Sequence, residues 1–106
     1  MKKAEVKVHN ERAGVFIEID RSRYEFHYDY EYSGSPISLT LPVREEPYLF
    51  DSFPPFFDGV LPEGIQLEGL LKKYKLDSTD YFQQLMKTGA DLVGAVTVVE
   101  IVTENE

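Results

Sequence analysis

The sequence predicts an α+β fold, with a small antiparallel sheet or partly closed barrel of about five to six strands capped by two to three helices. Three observations lead to this prediction. The first forty residues alternate between apolar and polar side chains, residues 65–88 carry apolar side chains at helical spacing, and residues 92–102 form an apolar, β-branched run. The turns between the first strands are short, which favours antiparallel neighbours.

The strands of the first half are predicted from a period of two. Their apolar positions, in chain order, are Val6 and Val8; Val15, Ile17 and Ile19; Tyr24, Phe26, Tyr28, Tyr30 and Tyr32; and Ile37, Leu39 and Leu41. In the second strand, Glu18 and Asp20 are predicted to lie on the opposite, polar face. Gly14 is predicted to supply a positive φ in the turn that precedes this strand.

Residues 42–64 lose this alternation, because prolines fall among bulky apolar side chains. They are predicted to form an ordered crossover with one short helix at residues 55–60, where proline suits the first turn.

Two longer helices are predicted from apolar side chains at helical spacing. Their apolar faces are Ile65, Leu67, Leu70, Leu71 and Tyr74 in the first helix, and Tyr81, Phe82, Leu85 and Met86 in the second. Gly89 is predicted to end the second helix. We expect one core that includes Phe26, Leu70, Leu71, Phe82, Leu85 and Val98.

The last apolar run, residues 92–102, is predicted to be a central strand covered on both faces, with the helices on one side. A length of 106 residues fits one domain. We therefore expect residues 1–102 to form a single domain and residues 103–106 to be a polar tail.

The charge and composition argue against several function classes. Eleven basic and nineteen acidic side chains give a net charge of −8, which opposes binding to nucleic-acid phosphates and to anionic membranes. The absence of cysteine excludes disulfides, thiolate metal sites and cysteine nucleophiles. The sequence shows no signal peptide and no apolar run of the roughly 18 residues that a spanning helix needs. We expect a cytoplasmic protein with no cofactor and no direct contact with nucleic acid or membrane.

No set of residues assembles into an active site, and we predict no catalytic, cofactor-binding or metal-binding residues. His9 and His27 lie on the polar faces of separate strands, and their spacing supplies no i, i+4 pair of metal ligands. The carboxylates of Glu25, Asp29 and Glu31 alternate along one strand, which is typical of a solvated face.

The tyrosine-rich strand has two interpretations. Its rings either form a stacking platform for a small ligand or pack beneath the helices with some hydroxyl groups at the surface. The acidic net charge favours packing for Phe26 and Tyr28. Tyr30 and Tyr32, near the strand end, are predicted to be exposed.

Residues 56–64, Phe-Phe-Asp-Gly-Val-Leu-Pro-Glu-Gly, combine bulky apolar side chains with glycine and proline, which fix one backbone path. This segment is either a packed corner between sheet and helices or a contact surface. Together with Pro-Ile-Ser-Leu-Thr-Leu-Pro at 36–42 and Gly-Ala-Asp-Leu-Val-Gly-Ala-Val-Thr-Val at 89–98, it resembles the N-terminal subdomain of HipA-type toxin kinases. The resemblance covers nearly the whole chain.

The resemblance implies a small sheet or barrel capped by helices, which in that family precedes a Ser/Thr kinase domain. A free-standing version is similar to HipS, the small antitoxin of HipB–HipS–HipT systems. This similarity implies a bacterial, non-catalytic antitoxin or regulatory subunit that binds and restrains a HipA/HipT-like kinase, with a HipB-like DNA-binding protein joining through the complex. The sequence lacks the phosphate-binding loop, catalytic Asp and magnesium ligands of a kinase, so kinase activity is not expected.

The contact surface for the kinase is predicted at Asp58, Gly59, Pro62, Glu63, Gly64, Ile65 and Gln66. Glu63 is expected to pair with a basic group, and Ile65 is expected to make an apolar contact where related sequences often carry Trp. Two alternatives stay open. In the first, the chain is a structural subunit that completes a split HipA-type kinase. In the second, it is a small-ligand binding module that uses the tyrosine-rich strand.

Overall fold

Five strands and three helices make up the described part of the chain, residues 1–91 and 95–101 of a computed structural model. The strands are β1 (Lys2–Val8), β2 (Glu11–Asp20), β3 (Arg23–Tyr28), β4 (Tyr48–Phe50) and β5 (Val96–Ile101). The helices are α1 (Pro55–Asp58), α2 (Gly64–Tyr74) and α3 (Tyr81–Thr88), and a 3-10 helix at Gly89–Asp91 follows α3 directly. The strands form one antiparallel sheet with the order β4-β3-β2-β1-β5.

The predicted α+β class is confirmed, and the sheet is open rather than closed into a barrel. Alternate side chains of β1, β2 and β3 form one buried face, because strand residues point to the two faces in turn. Helices α1 and α3 contribute to the same core. Its buried apolar residues are Ala4, Val6, Val8, Ala13, Phe16, Tyr24, Phe26, Tyr28, Tyr32, Ile37, Leu41, Phe57, Phe82, Leu85 and Val98.

The face of β2 that was predicted to be polar is the face that points towards the core. Phe16 and Glu18 are buried on the core side, whereas Val15, Ile17 and Ile19 are half-buried on the outer face. Large apolar residues occupy both parities of this strand, so alternation alone does not identify its inner face. The Phe16 ring decides the orientation, because it fills the space between the sheet and the helices.

The β1–β2 hairpin turns at His9 and Asn10, not at Gly14. Both turn residues have positive φ (51° and 67°), as a two-residue type I′ turn requires. Gly14 lies inside β2, next to an irregularity in the β1–β2 register at Val6 and Lys7. A Cβ on Gly14 would lie 2.1 Å from the carbonyl oxygen of His27, so glycine is needed for the close approach of β3.

Asn10 is expected to tolerate glycine but not alanine. Glycine adopts the left-handed conformation freely, whereas an alanine side chain there costs about 1 kcal/mol or more. Asn10→Gly should therefore melt at or above the temperature of the parent, and Asn10→Ala should lose about 1 kcal/mol of stability. Urea unfolding of the two variants measures this difference, and equal stability would contradict the assigned turn.

The segment between β3 and β4 differs from the predicted strands. Strand β3 ends at Tyr28, and residues 37–41 contain only an isolated bridge between Ser38 and Leu41. The Tyr28 hydroxyl donates to the Leu41 carbonyl and accepts from the Ile37 amide. It thus binds backbone groups that a neighbouring strand would otherwise satisfy. Strand β4 lies in the proline-rich region, where no strand was predicted, at the edge of the sheet.

Helices α1, α2 and α3 lie near their predicted positions but contribute unequally to the core. Phe82 and Leu85 of α3 are buried, as predicted. No residue of α2 is buried, and Leu70 and Leu71 are only half-buried. The prediction that these two leucines belong to the core is therefore wrong. Gly89 ends α3 as predicted, but with a right-handed backbone, φ −62°.

Strand β5 lies at the edge of the sheet and pairs with β1. The prediction of a central strand covered on both faces is therefore wrong: Val98 is buried, but Val99 on the outer face is 44% exposed. The predicted strand residues 92–94 and 102, and the predicted tail 103–106, lie outside the described residues. Among the described helices, none combines the length and apolarity needed to cross a membrane.

Candidate partner-binding site

The predicted contact segment, residues 58–66, is anchored by α1. Phe57 is fully buried and stacks on Phe16 of β2, with the ring centroids 4.2 Å apart. Pro55 occupies the first turn of α1, where the missing amide hydrogen costs no helix hydrogen bond. The buried Phe57 therefore holds the start of the contact segment in a fixed position on the core.

Local backbone hydrogen bonds then hold the path of the segment. They join the amide and carbonyl groups of Asp58 and Pro54 (2.9 Å), Gly59 and Pro55 (2.9 Å), Val60 and Phe57 (3.3 Å), and Leu61 and Asp58 (3.2 Å). The half-buried side chains of Val60 and Leu61 pack against the core. These bonds hold the backbone of residues 58–61 in place without a partner.

The end of the segment forms the first turn of α2. Gly64 has a φ of +60°, a conformation that favours glycine, and no described atom lies within 4 Å of the position of its absent Cβ. The backbone conformation, not crowding, therefore requires glycine. Glu63 is exposed and its carboxylate makes no capping hydrogen bond to α2. Ile65, one residue after the glycine, is 86% exposed.

The seven predicted contact residues consequently lie in one continuous, structured stretch. Pro62 is half-buried, and the exposed ones are Asp58, Gly59, Glu63, Gly64, Ile65 and Gln66. The stretch carries two carboxylates and no basic group, beside one large exposed apolar side chain. A surface of this composition suits a protein partner that offers a basic group next to an apolar position.

The tyrosine-rich strand packs into the core and does not form a platform for a ligand. Its buried rings are Tyr24, Phe26, Tyr28 and Tyr32, and only Tyr30, at 86%, is exposed. The prediction that Tyr32 is exposed is wrong. Its ring stacks on Tyr28, and its hydroxyl donates to the Ser35 carbonyl. A small-ligand binding module would need the Tyr28 and Tyr30 rings to be exposed side by side. Tyr28 is buried, so these two rings do not form such a surface.

A buried carboxylate, Glu18, lies on the core side of β2. Its side chain is 3.9 Å from the Lys2 ammonium, and its second oxygen has no hydrogen-bond partner among the described residues. Burial raises the pKa of Glu18, although Lys2 acts in the opposite direction. Burial, together with the Glu18 charge, also raises the pKa of Tyr24 to about 12. The Arg21 guanidinium lies 3.4 Å from the carboxylate of Asp80, the N-cap residue of α3. Because this ion pair joins the sheet to the helix, we assign Glu18, Tyr24, Arg21 and Asp80 to the packing of the sheet against α3.

The other polar candidates are paired with neighbours on the outer face. The His27 ring nitrogen is 2.8 Å from the Glu25 carboxylate, and Arg12 is 3.1 Å from Asp29. The described residues include no cluster of three His, Asp or Glu side chains that would hold a metal ion. A depression of 120 Å³ beside Leu49 is smaller than the roughly 300–1,000 Å³ of typical ligand pockets.

One surface next to the contact segment was not predicted. Helix α2 turns Ile65, Gly69 and Lys72 outwards, at the spacing i, i+4 and i+7, opposite its half-buried leucines. We call these three residues the α2 outer stripe. One feature of the sequence could have identified this surface: Gly69 lies inside a helical pattern. Glycine weakens a helix, so its presence there suggests a packing or binding role.

Fold and site together define a small α+β domain with a covered aromatic core and a preformed exposed segment. The chain belongs to the HipA N-terminal domain family, which matches residues 4–99. It is similar to the structure of the N-terminal domain of the HipA toxin, with a TM-score of 0.76, 28% identity and coverage of 98% of this chain and 96% of that one. It is also 29% identical over 100 residues to an uncharacterized protein of Haemophilus influenzae, covering 94% of this chain and 93% of that protein. The protein is thus a HipA-related toxin–antitoxin component.

Proposed function

We propose that the protein is a non-catalytic antitoxin or regulatory subunit that binds and restrains a HipA-family Ser/Thr kinase, as in HipB–HipS–HipT systems. One observation carries the proposal. The similarity covers 93% of the Haemophilus influenzae relative, so that relative consists of this domain and little else. In that relative the domain leaves little room for a kinase domain in the same chain, which supports a role exerted through a separate partner. A HipB-like DNA-binding protein joins through the kinase complex, in the cytoplasm of a bacterium, without direct contact of this chain with nucleic acid or membrane.

The proposed contact is the segment from Asp58 to Gln66. Its local backbone bonds and its anchor on Phe57 mean that little conformational entropy is lost on binding. Ile65 inserts into an apolar position of the kinase, and Glu63 pairs with a basic group beside it. Docking there occludes or misaligns the kinase site. The net charge of −8 raises the association rate with a basic cleft.

The test uses Glu63→Ala and Ile65→Ser. Both side chains are exposed, so neither change should disturb folding. Each variant is expected to bind the cognate kinase at least tenfold more weakly, about 1.4 kcal/mol, because an anchor of a preformed surface is removed. Calorimetric titration of the kinase measures the affinity, and the melting temperature of each variant measures its folding.

Tyr30→Ser is the matched control, because Tyr30 and Ile65 are both 86% exposed. It should leave the affinity unchanged. Equal affinity of parent, Glu63→Ala and Ile65→Ser would contradict the proposed contact. A loss of affinity in Tyr30→Ser alone would instead place the contact around Tyr30, just beyond the last residue of β3.

A second candidate is a structural subunit that completes a split HipA-type kinase. The similarity to the N-terminal domain of the HipA toxin, over 98% of this chain, favours it. The two proposals predict opposite effects on the kinase. Addition of an equimolar amount of this protein lowers phosphate transfer by the kinase if it is an antitoxin, and raises phosphate transfer if it completes the enzyme.

A further inference from the structure

Helix α2 is the least buried of the three helices, and its exposed side continues the proposed contact segment. Its leucines face the protein and are only half-buried, and none of its residues is buried. Ile65 belongs both to the segment and to the α2 outer stripe. A partner that contacts Ile65 therefore also meets the next two turns of α2, at Gly69 and Lys72.

Gly69 is the residue of the stripe that the fold does not explain. It lies in the interior of α2, where glycine weakens a helix relative to alanine. Its φ is not positive, and no described atom lies within 4 Å of the position of a Cβ. Neither the backbone nor packing therefore requires glycine here. An absent side chain does allow the backbone of another protein to approach the helix closely.

Lys72 lies in a segment whose net charge is positive, although the whole protein is acidic. Residues 64–88 carry four lysines and three carboxylates, a net charge of +1, whereas the whole chain carries −8, which leaves −9 for the remainder. The lysines are Lys72, Lys73, Lys75 and Lys87. Within the described part of the chain, none of the four forms an ion pair. The ammonium groups of Lys73 and Lys87 lie 5.3 and 5.2 Å from the centre of the Tyr74 ring, and Lys72 is exposed.

We propose that the α2 outer stripe docks into a groove of the partner kinase that is apolar near Ile65, approaches the α2 backbone at Gly69 and is acidic at Lys72. The inference rests on the proposed function and extends its contact from one loop to two turns of helix. A helix that binds a groove presents residues at i, i+4 and i+7 on one face, which is the spacing of the stripe, with Ile65 as its single apolar anchor. Charge favours one direction in the groove, because Glu63 of the contact segment precedes the stripe at one end and Lys72 closes it at the other.

Gly69→Gln tests the close approach. Glutamine is a good helix former, and the position is open, so the melting temperature of the protein alone should rise by about 2–6 °C. The same side chain would stand between α2 and the groove, so we expect at least tenfold weaker binding to the kinase. Gly69→Ala should stabilise the protein at least as much, because alanine has the higher helix propensity, but its smaller side chain should weaken binding less. A protein that is more stable and yet binds more weakly is not explained by partial unfolding.

Lys72→Glu tests the acidic end of the groove, with Lys3→Glu as its matched control. Both lysines are exposed, and each change lowers the net charge by two units. Any effect of total charge is therefore common to the two variants. We expect Lys72→Glu to bind at least tenfold more weakly than Lys3→Glu at low ionic strength, with a smaller difference at high ionic strength.

The outcomes separate this inference from the proposed function. Weaker binding by Ile65→Ser with unchanged binding by Gly69→Gln and Lys72→Glu would overturn the stripe and leave the proposed function standing. Loss of binding in all three variants supports both. Failure of the parent protein to bind its cognate kinase would overturn the proposed function and the stripe together.

Discussion

Phe16→Ala is expected to lower the free energy of unfolding by about 3–5 kcal/mol, a large part of the 5–15 kcal/mol that a domain of this size typically has. Phe16 is fully buried at the centre of the aromatic core. Its ring lies 4.2 Å from that of Phe57, 5.6 Å from Phe82 and 5.8 Å from both Tyr24 and Phe53, measured between centroids. Alanine would leave a cavity shared by the sheet, α1 and α3, which no single element is able to close.

Urea unfolding followed by circular dichroism measures this loss. Phe16→Leu keeps most of the apolar volume and should lose less stability than Phe16→Ala, whereas Tyr30→Ala, at an 86% exposed position, should change it little. A loss below about 1 kcal/mol in Phe16→Ala would contradict the central position of the ring. Because Phe16 supports Phe57, the same variant should also loosen the contact segment that begins at Asp58.

The sequence contained enough information for the type and order of most elements. Strands β1, β2 and β3 follow from alternation, and α2 and α3 follow from helical spacing, because both signals depend only on local chain geometry. The short helix α1 follows from Pro55, which has a local effect on the first helical turn. Strand β4 was missed because it is three residues long and lies among prolines.

Three further errors concern what an element packs against or pairs with, which local periodicity does not report. Apolar residues on both parities of β5 indicated a central strand, but its position in the sheet depends on pairing with β1. Leu70 and Leu71 show the spacing of a core helix, yet no residue of α2 is buried and these two leucines are only half-buried. In β2, the ring of Phe16 outweighs the three β-branched residues on the opposite face.

The contact role of residues 58–66 stays a prediction, whereas the structure does report the conformation of these residues. Residues 58–66 were selected for their glycines and proline; local hydrogen bonds hold residues 58–61, and six of the seven predicted contact residues are exposed. Gly64 has the positive φ that such a segment uses, but Gly59 has a φ of −65° and is an ordinary C-cap of α1. Gly69 was not selected: the sequence shows a glycine inside a helical pattern, but only the structure shows that the space beside it is open.

Gly14→Ala is expected to destabilise the protein by about 3 kcal/mol, at the upper end of the usual cost of overpacking. Its Cβ would lie 2.1 Å from the carbonyl oxygen of His27 and 2.9 Å from the Cα of Tyr28. Both atoms belong to the backbone of β3, so no side-chain rotation relieves the contact. The two strands must separate, and the ladder that joins Gly14 to Tyr28 must weaken.

Gly69→Ala provides the opposite result with the same chemical change. No described atom lies within 4 Å of its added methyl group, so the variant should gain about 0.5–1 kcal/mol from helix propensity. Urea midpoints of the two variants, compared with the parent, should therefore move in opposite directions. A Gly14→Ala protein as stable as the parent would show that β2 and β3 adjust freely at this point. In that case, the glycine would have to be explained by the register irregularity beside it rather than by the close approach of β3.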